Sequence, residues 1–122
     1  MADPNFIVLY VESPQASAAF YANLLGKPPV ESSLTFSMFA LASGVMLGLW
    51  ARANVEPAAS APGGSELAIA VRDDASVTGM HADWSKRGLR IEQAPVHLDF
   101  GFTFVALDPD GHRLRVFAPA AR

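Results

Sequence analysis

The 122-residue sequence contains no cysteine. That removes a disulfide framework, a thiolate metal site and a cysteine nucleophile at once. Charge is also sparse. Asp, Glu, Lys and Arg make up 17% of the chain, and the net charge is −3. No basic stripe appears, so nucleic acid is not an expected partner. No apolar run approaches the ~18 residues that a spanning helix needs. Met1-Ala2-Asp3-Pro4 holds no basic stretch leading into an apolar one, so no secretory signal is expected. What the chain has in quantity is apolar side chains, 51% of the total. That is enough for a packed core in one domain spanning residues 1–122. The expectation is a soluble, cytoplasmic protein that needs no membrane.

Phe6–Val11 reads as a strand that is apolar on both faces. Ser13-Pro14 then suits a helix start, a capping hydroxyl followed by proline at the first helical position. Ala16, Phe20 and Leu24, with Ala19, predict the buried stripe. Gly26 and Pro28-Pro29 end the helix. Two or three strands follow across 30–50, with Ser43-Gly44 as a hairpin turn. Residues 53–64, rich in Pro, Gly and Ala, read as a linker.

The pattern then restarts. Glu66–Val71 alternates as a strand. Asp73 or Asp74 caps a helix carrying Val77, Met80 and Trp84, and Gly88 stops it. A short strand is expected around Arg90–Glu92, followed by a loop through Pro95. Phe102–Leu107 and Arg113–Phe117 are strands joined by the turn Asp108-Pro109-Asp110-Gly111. In this repeat Val11 matches Val71, Gly26 matches Gly88, Gly44 matches Gly111 and Trp50 matches Phe117. The expected organisation is a first module over about 5–52, a linker over 53–64 and a second module over about 65–118.

Val11-Glu-Ser-Pro-Gln-Ala-Ser-Ala-Ala-Phe20-Tyr21 with Leu25-Gly26, and Asp108-Pro-Asp-Gly-His112, resemble signatures of the vicinal-oxygen-chelate superfamily. This is the glyoxalase/bleomycin resistance protein/dioxygenase family. The resemblance implies an α+β fold of two βαβββ modules, whose mixed sheets form a curved cup with helices outside and ligand inside. It also implies a homodimer. Enzymes of the family hold a divalent metal with one ligand on the first and one on the last strand of each module. Those positions here are Phe6, Gly48, Glu66 and Arg115. Only Glu66 offers a donor that binds a metal; phenylalanine and glycine side chains have none, and a guanidinium repels a cation. No metal and no cofactor are therefore expected. His81, His97 with Asp99, and His112 read as helix, polar loop and turn rather than as a metal site elsewhere.

Strand alternation predicts two faces. One is aliphatic and helix-covered, with Ile7, Leu9, Val11, Leu47, Leu49, Val105, Leu107, Leu114 and Val116 among its members. The other is aromatic with a few polar groups: Phe6, Tyr10, Phe36, Met38, Trp50, Glu66, Phe102, Phe104 and Arg115, with Gly48 leaving room beside Trp50. Such a face suits a flat, partly apolar molecule held by stacking. Glu66 and Arg115 are expected to pair, either as a structural ion pair or with Arg115 anchoring an acidic or carbonyl-bearing ligand. Trp84 is expected in the core.

Val8-Leu-Tyr-Val11, Leu47-Gly-Leu-Trp50, Ser65-Glu66, Asp99-Phe-Gly-Phe-Thr-Phe104 and the Asp-Pro-Asp-Gly turn also resemble the metal-free phenazine-antibiotic resistance proteins of this superfamily. The resemblance implies that a planar aromatic small molecule is bound and sequestered, without catalysis. Two alternatives stand beside it: a metal-dependent lyase, isomerase or dioxygenase with an atypical site, and a regulatory protein whose aromatic face is covered by another protein.

Overall fold

A computed structural model describes residues 4–61 and 63–120. The chain divides into two compact units after Ala61. Each unit is one βαβββ module. The first contains β1 (Phe6–Val11), α1 (Pro14–Leu25), β2 (Glu31–Ser32), β3 (Phe36–Ala40) and β4 (Met46–Ala51). The second contains β5 (Glu66–Ala70), α2 (Asp74–Lys86), β6 (Arg90–Leu98), β7 (Gly101–Leu107) and β8 (Arg113–Pro119).

The two sheets have the same topology. Strand order is β1-β4-β3-β2 in one and β5-β8-β7-β6 in the other. In each, the first strand runs parallel to the last, and the other pairings are antiparallel. The register repeats as well. Val8 lies opposite Gly48 and Ala68 opposite Arg115, so the two modules coincide residue for residue at the strand centres.

The helix caps follow the local chemistry. The Ser13 hydroxyl accepts from the Ala16 N–H, Pro14 occupies the first turn, and Gly26 closes α1 at φ 71°. Asp73 caps α2 by accepting from the Ser76 N–H and hydroxyl. In the Asp108–Gly111 turn, the buried Asp108 carboxylate accepts from the Asp110 and His112 N–H groups, both at 2.9 Å. This motif therefore shapes a hairpin.

The buried stripe of α1 differs from expectation. It consists of Pro14, Ser17, Ala18 and Tyr21, whereas Ala16 and Ala19 are exposed. Small Ser17 and Ala18 let the helix approach β3 and β4, and Tyr21 fills the remaining space. Under this helix Val11, Phe39, Leu47 and Leu49 are buried. Each contributes about 1.5–3 kcal/mol of burial. In the second unit α2 buries Val77 and Trp84 against its sheet, as expected for Trp84.

β6 is longer than expected. It runs through Pro95 to Leu98, with register shifts between Ile91 and Gln93 and between Gln93 and Val96. Proline is tolerated because β6 is an edge strand, with no outer neighbour in its sheet to receive an N–H. His97 accordingly stands on a strand, not in a loop. Among the described residues, no helix is long and apolar enough to cross a membrane.

Candidate functional site

The first unit presents an aromatic face on the side of its sheet turned away from α1. Cross-strand rows define it: Phe36–Trp50–Tyr10, Met38–Gly48–Val8 and Ala40–Met46–Phe6. Trp50 is half-buried and meets Tyr10 edge-on, with ring centroids 6.3 Å apart. Phe6 and Tyr10 are 44% and 36% exposed, so large apolar rings on this face stand open. Gly48 lies beneath two of them. A Cβ at that position would fall 2.9 Å from the ring edges of both Phe6 and Phe36. The glycine is what lets the rings settle on the sheet. The structure thus groups Phe6, Tyr10, Phe36, Met38, Gly48 and Trp50 on one face.

The corresponding face of the second unit is different in kind. Arg115 Nε donates to Glu66 Oε1 at 2.7 Å, and Arg115 Nη1 donates to the Thr103 hydroxyl at 3.1 Å. The Thr103 hydroxyl in turn donates to the Val116 carbonyl at 2.8 Å, which fixes its orientation. The Phe100 ring centroid is 5.4 Å from the Arg115 guanidinium carbon, a cation–π distance, and Phe100 meets Phe117 edge-on. Arg115 is therefore clamped by a carboxylate, a hydroxyl and an aromatic face.

Two expected members do not belong to this face. Phe104 pairs with Val116, while Arg115 pairs with Val105. Phe104 is fully buried and meets the rings of Trp84 and His81 on α2, with centroids 5.3 Å away in each case. Phe102 pairs with Ala118, shares the parity of Phe104 and packs on the His97 ring at 4.5 Å. The sequence alternates aromatic and small residues here, and only the pairing to β8 decides which set faces the helix. Thr103, Val105 and Leu107 take the place assigned to the phenylalanines. Gly101, at the start of β7, is required by close approach: a Cβ there would collide with the Ala118 carbonyl.

Sequence reasoning also missed Gln93, Thr103, Arg113 and Phe100. An aromatic ring in the short Asp99-Phe100 turn was the available signal for Phe100, since turns seldom need one. Nothing in the sequence marked Gln93, because its facing depends on the β6 irregularities.

The positions at which the resemblance expects metal ligands are Phe6, Gly48, Glu66 and Arg115. Phe6 and Gly48 carry no donor, Arg115 is a cation, and the single carboxylate, Glu66, is engaged by that cation. Among the described residues no group of three His, Cys, Asp or Glu side chains converges as a metal site would require. The residues present do not fit a divalent metal at these positions.

Known proteins share this fold. The phenazine antibiotic resistance protein EhpR of Enterobacter agglomerans is 29% identical over 116 residues, covering 93% of this chain and 89% of that protein. A protein of Agrobacterium tumefaciens, solved by NMR in solution, is 53% identical, with a TM-score of 0.90 over 99% of this chain and 100% of that one. A glyoxalase-related enzyme from Fulvimarina pelagi shares the fold, with a TM-score of 0.82 at 23% identity over 97% of this chain and 88% of its own. The family model for the Glyoxalase/Bleomycin resistance protein/Dioxygenase superfamily matches residues 4–116. Two βαβββ modules in the same register, matched across nearly their whole length, make this chain a member of that superfamily.

Proposed function

We propose that this protein binds and sequesters a planar, largely apolar small molecule of the phenazine type without using a metal, in the manner of an antibiotic resistance protein. The observation that carries the reading is the pairing of Arg115 with Glu66 at 2.7 Å, at positions where family enzymes hold metal. The half-buried Trp50, open-standing Tyr10 and Phe6, and Phe36 supply stacking surfaces. An indole against a planar ring contributes about 0.5–1.5 kcal/mol beyond area burial. In the second unit Arg115, held in one orientation by Glu66, is the anchor for a carbonyl or acidic group. Similarity to a phenazine antibiotic resistance protein supports the ligand class. In this reading the working form is a cytoplasmic homodimer, with no nucleic acid, membrane or cofactor involved.

The test is intrinsic fluorescence. Trp84 is 4% exposed and shielded, so quenching by an added phenazine reports on Trp50. Saturable quenching that disappears in Trp50→Phe is the expected result. Absence of quenching by phenazine and other flat aromatics in the folded protein overturns the reading. So does a stoichiometric metal whose removal by chelator abolishes an activity.

A further inference from the structure

The second unit holds a depression of about 200 Å³ lined by Glu92, Gln93, Val105, Arg113 and Arg115. Its position follows from the strand register. Gln93 lies opposite Val105, Val105 opposite Arg115, and Arg115 opposite Ala68, so one row crosses all four strands. Gln93 stands in that row because of an irregularity. Ile91 pairs with Ala106, whose own partner Leu114 is buried, so Ile91 belongs to the helix-side set. Regular alternation would send Gln93 the same way. The register shift between Ile91 and Gln93 turns it to the Arg115 side instead, and bulges commonly re-aim a side chain in this way.

Gln93 also carries an orphan atom. Among the described residues, its Oε1 is the buried side-chain polar atom that has no hydrogen-bond partner. A buried, unpartnered carbonyl oxygen is costly and needs an explanation. It also means that the side chain surrenders no hydrogen bond at that oxygen when its amide turns toward a ligand in the depression it lines. Arg115 has donors to spare there. Two of the five guanidinium N–H groups go to Glu66 and Thr103, leaving three.

We infer that this depression is a recognition site for a neutral carboxamide group carried on a small planar ring. Resting on the reading of Arg115 as a ligand anchor, the inference adds the chemical class that the anchor recognises. An amide group matches Gln93 in both senses: its N–H donates to Oε1 and its carbonyl accepts from Nε2, whichever way the glutamine amide is turned. The same carbonyl accepts from a remaining N–H of Arg115. A carboxylate satisfies the donors but leaves Oε1 facing lone pairs. The local charge also disfavours an anion, because Arg115 is paired with Glu66 and Arg113 with Glu92 at 3.6 Å. The volume suits the polar end of a molecule or a single ring, below the roughly 300 Å³ at which sites for larger ligands begin.

The experiment uses the full chain and two probes of equal shape, benzamide and benzoate, followed by side-chain and backbone NMR shifts. Saturable shifts at Gln93 and Arg115 are expected with benzamide, with affinity at least about tenfold above benzoate, the factor for one well-made hydrogen bond. Gln93→Leu removes the preference. Gln93→Asn, which keeps the amide on a shorter arm, also weakens benzamide binding and guards against a folding defect in the first variant. Equal affinity for the two probes, no saturable binding of benzamide, or a preference retained in both variants overturns the inference. Trp50 quenching by unsubstituted phenazine is measured alongside. Quenching without an amide preference sinks the inference and leaves the stacking reading; an amide preference without quenching does the reverse.

Discussion

Arg115 and Glu66 sit on parallel neighbouring strands, two residues out of direct register, and join through a 2.7 Å hydrogen bond between charged groups. Their side chains are 15% and 33% exposed, so solvent screens the pair only in part. Removing the carboxylate alone leaves the guanidinium half-clamped. Glu66→Ala is expected to cost about 1–2 kcal/mol in urea denaturation, discounted for partial exposure. In a double-mutant cycle with Arg115→Met, the loss shrinks when both are absent. Strict additivity of the two single losses would show that the pair is not coupled.

Gly48 gives a different kind of prediction. A methyl group there meets the distal ring edges of Phe6 and Phe36, and Phe6 is exposed enough to swing away. Gly48→Ala should therefore change stability by less than about 1.5 kcal/mol while displacing both rings. The expected signature is near-normal unfolding, shifted aromatic NMR resonances for Phe6 and Phe36, and weaker quenching of Trp50 by phenazine. Unchanged ring resonances would contradict the contact.

The two phenylalanines of β7 should behave unequally. Phe104 lies wholly in the core against Trp84, so Phe104→Ala is expected to destabilise by about 3–5 kcal/mol. Phe102 is partly exposed, and its truncation should cost about 1 kcal/mol. Chemical denaturation of the two variants measures this. Similar losses would mean that Phe104 does not occupy the helix side.

Asp73 links helix capping to pH. Its carboxylate accepts from the Ser76 hydroxyl and from the Ser76 N–H, which together hold its pKa below the ordinary 3.8. A depressed carboxylate pKa stabilises the fold above the unfolded-state value and loses that contribution as pH falls through the folded-state value. Asp73→Asn keeps a capping oxygen but removes the titration. Its stability profile should flatten on the acid side, below about pH 4, relative to the parent. Parallel acid limbs in the two proteins would refute this.

Local chemistry was legible in the chain. Ser13-Pro14 starts one helix and Asp73, one of two candidate aspartates, the other, because they supply what the first N–H groups lack, and Gly26 closes one because it accepts a left-handed backbone. The Asp108–Gly111 turn was equally plain. The stripe of α1 was not, because apolar spacing pointed to Ala16, Phe20 and Leu24 while packing selected Ser17 and Tyr21 for fit.

The sequence by itself determined the twofold repeat and which side chains stand at Phe6, Gly48, Glu66 and Arg115; that these are metal positions came from the family resemblance. The sequence also determined the aromatic face of the first unit, where β1, β3 and β4 pair without irregularity and parity can be counted from either end. Only the tertiary structure decided the second unit's face. Parity on an isolated strand labels two sides without saying which meets the helix. Pairing with β8 sent Phe104 to the core and Thr103 to Arg115. The register shifts in β6 then turned Gln93 toward that arginine, a placement that depends on where a strand breaks its own alternation.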